Sequence, residues 1–162
     1  MLLLLAAVML MPGCAYRLGP TNEQVAGAQT LTVEPFPNDT LQPGLTDIVN
    51  SAVRRQVQRD GTFRLDTRGS ADVVVSGRII RYGRLPLGSR RDDVITPQDY
   101  DVSITARVVA TRGGQVIYEG DVTGRALVAS TVNLNVSERE NIPVAAENLA
   151  RILISEIANG RW

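Results

Sequence analysis

The sequence predicts an α+β fold: a mixed four-stranded sheet with two helices packed on one of its faces, in the order β-α-β-β-β-α. Two observations point there. Apolar residues recur at helical spacing near residues 45 to 57 and 146 to 157, whereas residues 101 to 110 and 115 to 125 alternate with the period of half-buried strands. Such alternation leaves one sheet face wet, so both helices belong on the other.

The first strand is short. Leu31 and Val33 fall on one side and Thr32 and Glu34 on the other, and Pro35 and Pro37 stop it. Beyond the Pro43-Gly44 turn, Leu45, Ile48, Val49, Ala52, Val53 and Val57 share one helical face. Asn50, Arg54, Arg55 and Gln58 share the opposite one, and Gly61 is placed to end the helix after Asp60. The Arg54-Arg55 pair reads as part of a solvated face.

The next strand runs from Ala71 to Arg84, with Phe63 to Asp66 read as its beginning. Its Val73-Val74-Val75 run is apolar on both faces, as a central strand requires. Residues 85 to 97 hold Pro86, Gly88, Pro97 and the charged run Arg90-Arg91-Asp92-Asp93, and read as a long polar loop. From Asp101, Val102, Ile104, Ala106 and Val108 point inward, and Ser103, Thr105 and Arg107 outward. Gly113-Gly114 supplies a tight hairpin.

On the returning strand Val116, Tyr118, Gly120, Val122 and Gly124 share one face, and Ile117, Glu119, Asp121, Thr123 and Arg125 the other. Residues 126 to 137 are consistent with an extension of that strand or with a β-like excursion. Pro143 suits the first turn of a second helix ending near Gly160, with Ala146, Leu149, Ile152, Leu153 and Ile157 on its apolar face and Ile154 off it, free for a partner. A right-handed crossover makes the first two strands parallel, and hairpins add antiparallel neighbours.

Ahead of this domain, Leu2 to Met11 is apolar and uncharged and leads through Pro12-Gly13 into Cys14, the one cysteine of the chain. The run is about half the roughly 20 residues that span a bilayer, so it fits a signal-peptide core ending at a lipid-accepting cysteine. The expected organisation is a signal peptide over 1–13, a lipidated tether over 14–30 and a single α+β domain over 31–162. Gly19-Pro20-Thr21-Asn22 supplies turn chemistry within the tether. An acylated Cys14 leaves no thiol for a disulfide, so the fold must rest on packing.

Charge and composition narrow the function. Seventeen basic residues balance seventeen acidic ones, which argues against electrostatic capture of nucleic acid. The basic residues are all Arg. Without His or Lys the chain lacks the usual general base, the commonest metal ligand and any Schiff-base amine. Aromatic residues make up 4%, little for a carboxylate-pair glycosidase to stack sugars on. No catalytic residue, metal site or cofactor is expected; Asp92-Asp93 and Asp99 with Asp101 lack a Gly-containing ligand loop and read as surface charge.

Several short segments carry a resemblance. The opening Cys14-Ala15-Tyr16-Arg17-Leu18-Gly19, the stretch Thr32-Val33-Glu34-Pro35-Phe36-Pro37-Asn38 with Thr40, the helix from Leu45, and Ala71-Asp72 before a Val-rich strand together resemble the LptE family of lipopolysaccharide-assembly lipoproteins. The resemblance implies a non-catalytic outer-membrane lipoprotein, anchored through lipid on Cys14. Its domain would lie on the periplasmic side or within the lumen of the LptD β-barrel, as plug and folding partner, and take part in lipopolysaccharide transport to the outer leaflet. Two other classes stay open: another periplasmic accessory lipoprotein, of secretin-pilot or transport-accessory type, and a carboxylate-dependent cell-wall hydrolase.

Four arginines are candidates for lipopolysaccharide contact. Adjacent guanidinium groups at Arg90 and Arg91 suit a phosphorylated glycolipid. The plainer reading is a solvated loop neutralised by Asp92-Asp93. If the ligand lies across the open sheet face instead, Arg107 and Arg125 project toward it from neighbouring strands.

Overall fold

The computed structural model describes residues 27–90, 93–129 and 134–159. The elements run β1 (Gln29–Val33), α1 (Leu45–Asp60), β2 (Phe63–Leu65), β3 (Val73–Arg90), β4 (Asp93–Arg112), β5 (Gln115–Ala129) and α2 (Leu134–Asn159). The sheet has five strands in the order β2-β1-β3-β4-β5, parallel at β1 with both neighbours and antiparallel from β3 to β5. The α+β class and the parallel first crossover agree with the sequence. The strand count is one higher than expected.

The extra strand exists because residues 66 to 70 form a turn. Asp66 accepts hydrogen bonds from the amides of Arg68 and Ser70 at 3.2 and 3.0 Å, so the chain leaves β2 there. Its own amide donates to the Leu31 carbonyl at 2.9 Å, and the Thr32 hydroxyl donates to its carbonyl at 3.0 Å. The chain then crosses to the other side of β1. There the Asp72 carboxylate accepts from the Thr30 amide (2.8 Å) and hydroxyl (2.7 Å), and the Asp72 amide donates back to the Thr30 hydroxyl at 2.9 Å. Asp72 thus locks the start of β3 to β1, which itself begins two residues before Leu31.

Helix α1 follows its sequence pattern closely. Leu45, Val49, Ala52, Val53 and Val57 are buried, and left-handed Gly44 and Gly61 bound it at φ 78° and 75°. Between β1 and α1 the chain continues along β3: Glu34 N–H bonds the Val75 carbonyl, and Ile79 N–H the Pro37 carbonyl, both at 2.9 Å. Phe36 is wholly buried there with its ring over Gly77, so close that a Cβ at Gly77 would strike it. The Phe36 amide donates to Asn50 Oδ1 on α1 at 3.0 Å. Asn38 accepts from the Thr40 amide and hydroxyl and donates to the Gln42 carbonyl at 2.7 Å. The Pro35-Phe36-Pro37-Asn38 stretch is therefore a brace between sheet and helix.

Residues 85 to 97, expected as a loop, are strand instead: β3 and β4 pair as far as Leu87 with Asp99, Ser89 with Pro97 and Arg90 with Asp93. Prolines are tolerated because, among the described residues, these stretches have only one partner strand. β1 pairs with β3 only at Val73 to Val75, and β5 pairs with β4 only up to Asp99, so Pro86 and Pro97 each turn a side without a ladder partner. A bulge at Ile80 then places Tyr82 and Arg84 in register with Ile104 and Val102.

A second bulge at Ile117 corrects another expectation. Tyr118 pairs with Ala110, but Val116 pairs with Thr111 and joins the opposite face, where it is largely exposed. Gly113 and Gly114 form the tight turn between Arg112 and Gln115, both at positive φ.

Helix α2 begins at Leu134, nine residues before the expected Pro143, which lies inside it. Its buried stripe is Ile142, Ala145, Ala146, Leu149, Ala150, Leu153, Ile154 and Ile157. Ile154 is thus a core residue, whereas Ile152 is the one turned out. Both helices cover one face of the sheet, and the core lies between them and Leu31, Val75, Ile79, Ile104 and Ala106. The helix backbone of Ala145 and Leu149 rests directly on Gly124 of β5, at an approach no side chain would permit.

Candidate functional site

The opposite face of the sheet carries the polar chemistry. Because paired residues on antiparallel strands point the same way, it is built in rows. Arg78, Arg107 and Asp121 form one row across β3, β4 and β5; Arg81, Thr105 and Thr123 the next; then Gly83, Ser103 and Arg125; then Leu85, Asp101 and Leu127.

Three of the four arginines in these rows, Arg78, Arg107 and Arg125, meet a carboxylate locally. Arg107 forks onto Asp121, Nε to Oδ1 at 2.8 Å and Nη2 to Oδ2 at 3.1 Å. That bidentate bond holds the Asp121 carboxyl below the usual carboxylate range and raises Arg107 above its ordinary value. Arg78 reaches Asp39 at 2.9 Å, and Arg125 reaches Asp101 at 3.3 Å. The Thr105 and Thr123 hydroxyls share a hydrogen bond of 2.9 Å. Such pairs present a hydrogen-bonding surface with little net field.

Arg107 and Arg125 therefore stand on the open face as their alternation predicted, separated along the ladder by the threonine row and each engaged by a carboxylate. Their partners Asp121 and Asp101 were not predicted. Arg90 is the last residue of β3, in register with Asp93, so it sits at the far end of a two-stranded arm rather than on a free loop. The Arg90 side chain, Arg91 and Cys14 lie outside the described residues.

Among the described residues the other hollows lie away from this face: two are shallow and open to solvent, of about 380 Å³ beside Gln58, Phe63 and Arg64 and about 370 Å³ beside Ile48, Arg55 and Pro143. A hollow of about 190 Å³ at the carboxyl ends of β1 and β2, lined by Thr32, Val33, Arg54, Leu65, Asp66 and Thr67, is below the ~300 Å³ at which ligand pockets usually begin. Among the described residues no group of His, Cys, Asp or Glu is arranged to hold a metal ion, and no helix is long and apolar enough to cross a membrane.

Fold and surface together define a small α+β domain that keeps two helices on one side of a mixed sheet and exposes a charge-paired polar face on the other. The chain belongs to the LptE lipopolysaccharide-assembly family, whose model matches residues 28–157. Membership makes it a lipopolysaccharide-assembly protein of a non-catalytic family of bacterial outer-membrane lipoproteins. No curated protein matches it in sequence.

Solved structures similar in fold include a minor lipoprotein from Acinetobacter baumannii, at 15% identity and TM-score 0.53, covering 80% of this chain and 92% of that one. A hypothetical protein from Chlamydia trachomatis matches at 15% identity and TM-score 0.55, covering 84% and 98%. A protein from Xanthomonas campestris matches at 15% identity and TM-score 0.56, covering 84% and 86%. At these identities the likeness concerns the fold alone.

Proposed function

We propose that this protein is held at the outer membrane by lipid on Cys14, that its domain occupies and helps assemble an LptD-type β-barrel, and that it contacts lipopolysaccharide on the way to the outer leaflet. The observation that carries the reading is the open sheet face of a chain of this family. Barrel interiors are polar and lined by hydrogen-bonding groups. A face on which Arg107–Asp121, Arg125–Asp101 and Arg78–Asp39 are paired brings most of its charge to such a wall already neutralised.

Lipopolysaccharide contact falls to the arginines in this reading. Arg107 and Arg125 are already satisfied by carboxylates, so a phosphate has to displace an ion pair there. Arg90, which ends β3 at the far end of the β3–β4 arm, and its neighbour in sequence Arg91 are the preferred contacts, with Arg107 and Arg125 the second choice.

The test is affinity purification of the tagged full-length protein from detergent-solubilised membranes. The expected result is a large barrel protein in roughly equal amount. Recovery of a secretin in its place overturns the barrel reading in favour of a pilot role.

A further inference from the structure

The two edges of the sheet are not alike. One edge is β2, only 3 residues long. The other is β5, with 15 residues and, among the described residues, no strand on its outer side. A long strand edge offers a row of unpaired amides and carbonyls, and proteins usually blunt it with proline or cover it. β5 holds no proline.

What stands over that edge is a flank of α2. Asn148 donates from Nδ2 to the Arg125 carbonyl at 2.7 Å, which places the Asn148 side of the helix against the C-terminal half of β5. Val144 and Ile152 lie four residues before and after Asn148, on the same helical stripe. Both are apolar and open to solvent, at 44% and 40% exposure. Strand edge and overhanging stripe together make a half-built slot: along one wall the main-chain groups of β5 other than the Arg125 carbonyl, which Asn148 already caps, an apolar roof above and the open sheet face below.

We propose that the β5 edge accepts an extended segment of a partner polypeptide as a sixth strand. Its alternate residues are apolar and pack beneath Val144 and Ile152; the residues between them face the polar side beside Glu119 and Thr123, and favour a basic or hydroxyl side chain next to Glu119. Main-chain bonds to β5 supply affinity, and the roof supplies the preference for alternation.

A second copy of this chain does not fit the slot. Added strands lie about 4.8 Å apart, whereas packed helices need about 8–10 Å between axes. Since α2 rests on β5 itself at Gly124, two α2 helices brought together by β5-to-β5 pairing collide. The occupant is therefore a strand without its own helix on that face. The inference does not depend on the barrel reading.

The experiment is amide hydrogen exchange on the full chain, alone and with a short capped peptide alternating valine with threonine and lysine. The expected result is slowed exchange confined to β5 amides, lost by at least tenfold in apparent affinity when Val144→Lys and Ile152→Lys are combined, since a charged roof rejects apolar side chains. The two substitutions are on the surface, and an unchanged melting temperature verifies the fold. Thr123→Pro, which removes an edge amide, is a second and independent block. No protection of β5 at millimolar peptide overturns the proposal. So does protection that survives both sets of substitutions, protection at β2 instead, or a concentration-dependent dimer that buries β5 without peptide.

Discussion

Gly124 lies directly under Leu149: the α2 backbone at Ala145 and Leu149 sits where a side chain on β5 would otherwise stand. This contact sets how close the second helix lies to the sheet, and with it the positions of Leu149 and Leu153 in the core.

Gly124→Ala is expected to destabilise the domain by about 1–3 kcal/mol, because the added carbon overlaps the Ala145 carbonyl and the Leu149 amide and the helix has to lift. Gly120→Ala serves as the contrast. Its Cβ would come no closer than 3.1 Å to the Tyr118 hydroxyl, the end of a side chain that can move. Chemical denaturation of the two variants should separate them clearly, and equal losses refute the close-approach argument.

Acid should loosen the junction of β1 and β3. The Thr30 amide and hydroxyl hold the Asp72 carboxyl below its ordinary value. A lowered folded value means that the stabilisation is present above the unfolded carboxylate pKa of about 3.9 and is lost as pH falls through the lower folded value. In melting curves taken from neutral pH down to pH 2, Asp72→Asn should start less stable and lose less on acidification, approaching the parent at the acid end. Parallel curves for the two proteins count against it.

Lipopolysaccharide binding should distinguish the four arginines. Removing Arg90 and Arg91 together is expected to weaken binding by about tenfold or more, in line with charge-assisted bonds of ~1.5–3 kcal/mol each, and to leave thermal stability nearly unchanged. Arg107→Ala with Arg125→Ala should affect binding less, because both guanidinium groups are already engaged by Asp121 and Asp101 and are not the preferred contacts. The reverse ranking in a binding assay on purified protein moves the ligand onto the sheet face.

Cys14→Ser is expected to yield a soluble or unprocessed protein, since even one acyl chain gives only marginal membrane binding and none gives no anchor. Fractionation and intact mass measure this directly. An unmodified Cys14 thiol in protein isolated from membranes refutes the lipid anchor.

How far the sequence spoke depended on whether a signal was local. Helix α1 was fully legible, because Leu45 to Val57 keep one period and Gly61 ends it. The start of α2 was not: Pro143 suits a first helical turn, and the residues before it carry too little apolar period to mark a helix by themselves. Proline also disguised the outer half of the β3–β4 ladder, where Pro86 and Pro97 read as loop until the one-sided pairing of both strands is known.

The site depended on register. Closing the Gly113-Gly114 turn without a bulge would set Arg107 opposite Gly120; the extra residue at Ile117 sets it opposite Asp121. Outward alternation therefore found Arg107 and Arg125 but not the carboxylates that hold them. Likewise, the Pro35-Phe36-Pro37-Asn38 and Ala71-Asp72 segments, which carry part of the resemblance to the family, brace the fold at Phe36, Asn38 and Asp72.

The position of β1 has a mechanical meaning. It is the first strand among the described residues, yet it is not an edge: β2 and β3 run parallel to it on either side. Tension applied through that end would drag β1 along its own axis between two ladders, so that the bonds at Thr30 and Asp72, Asp66 and Leu31, and Glu34 and Val75 share the strain and yield together. A strand at the rim would unzip one bond at a time. A domain hung from its N-terminus would thus be held by a strand that has to break two ladders at once rather than one.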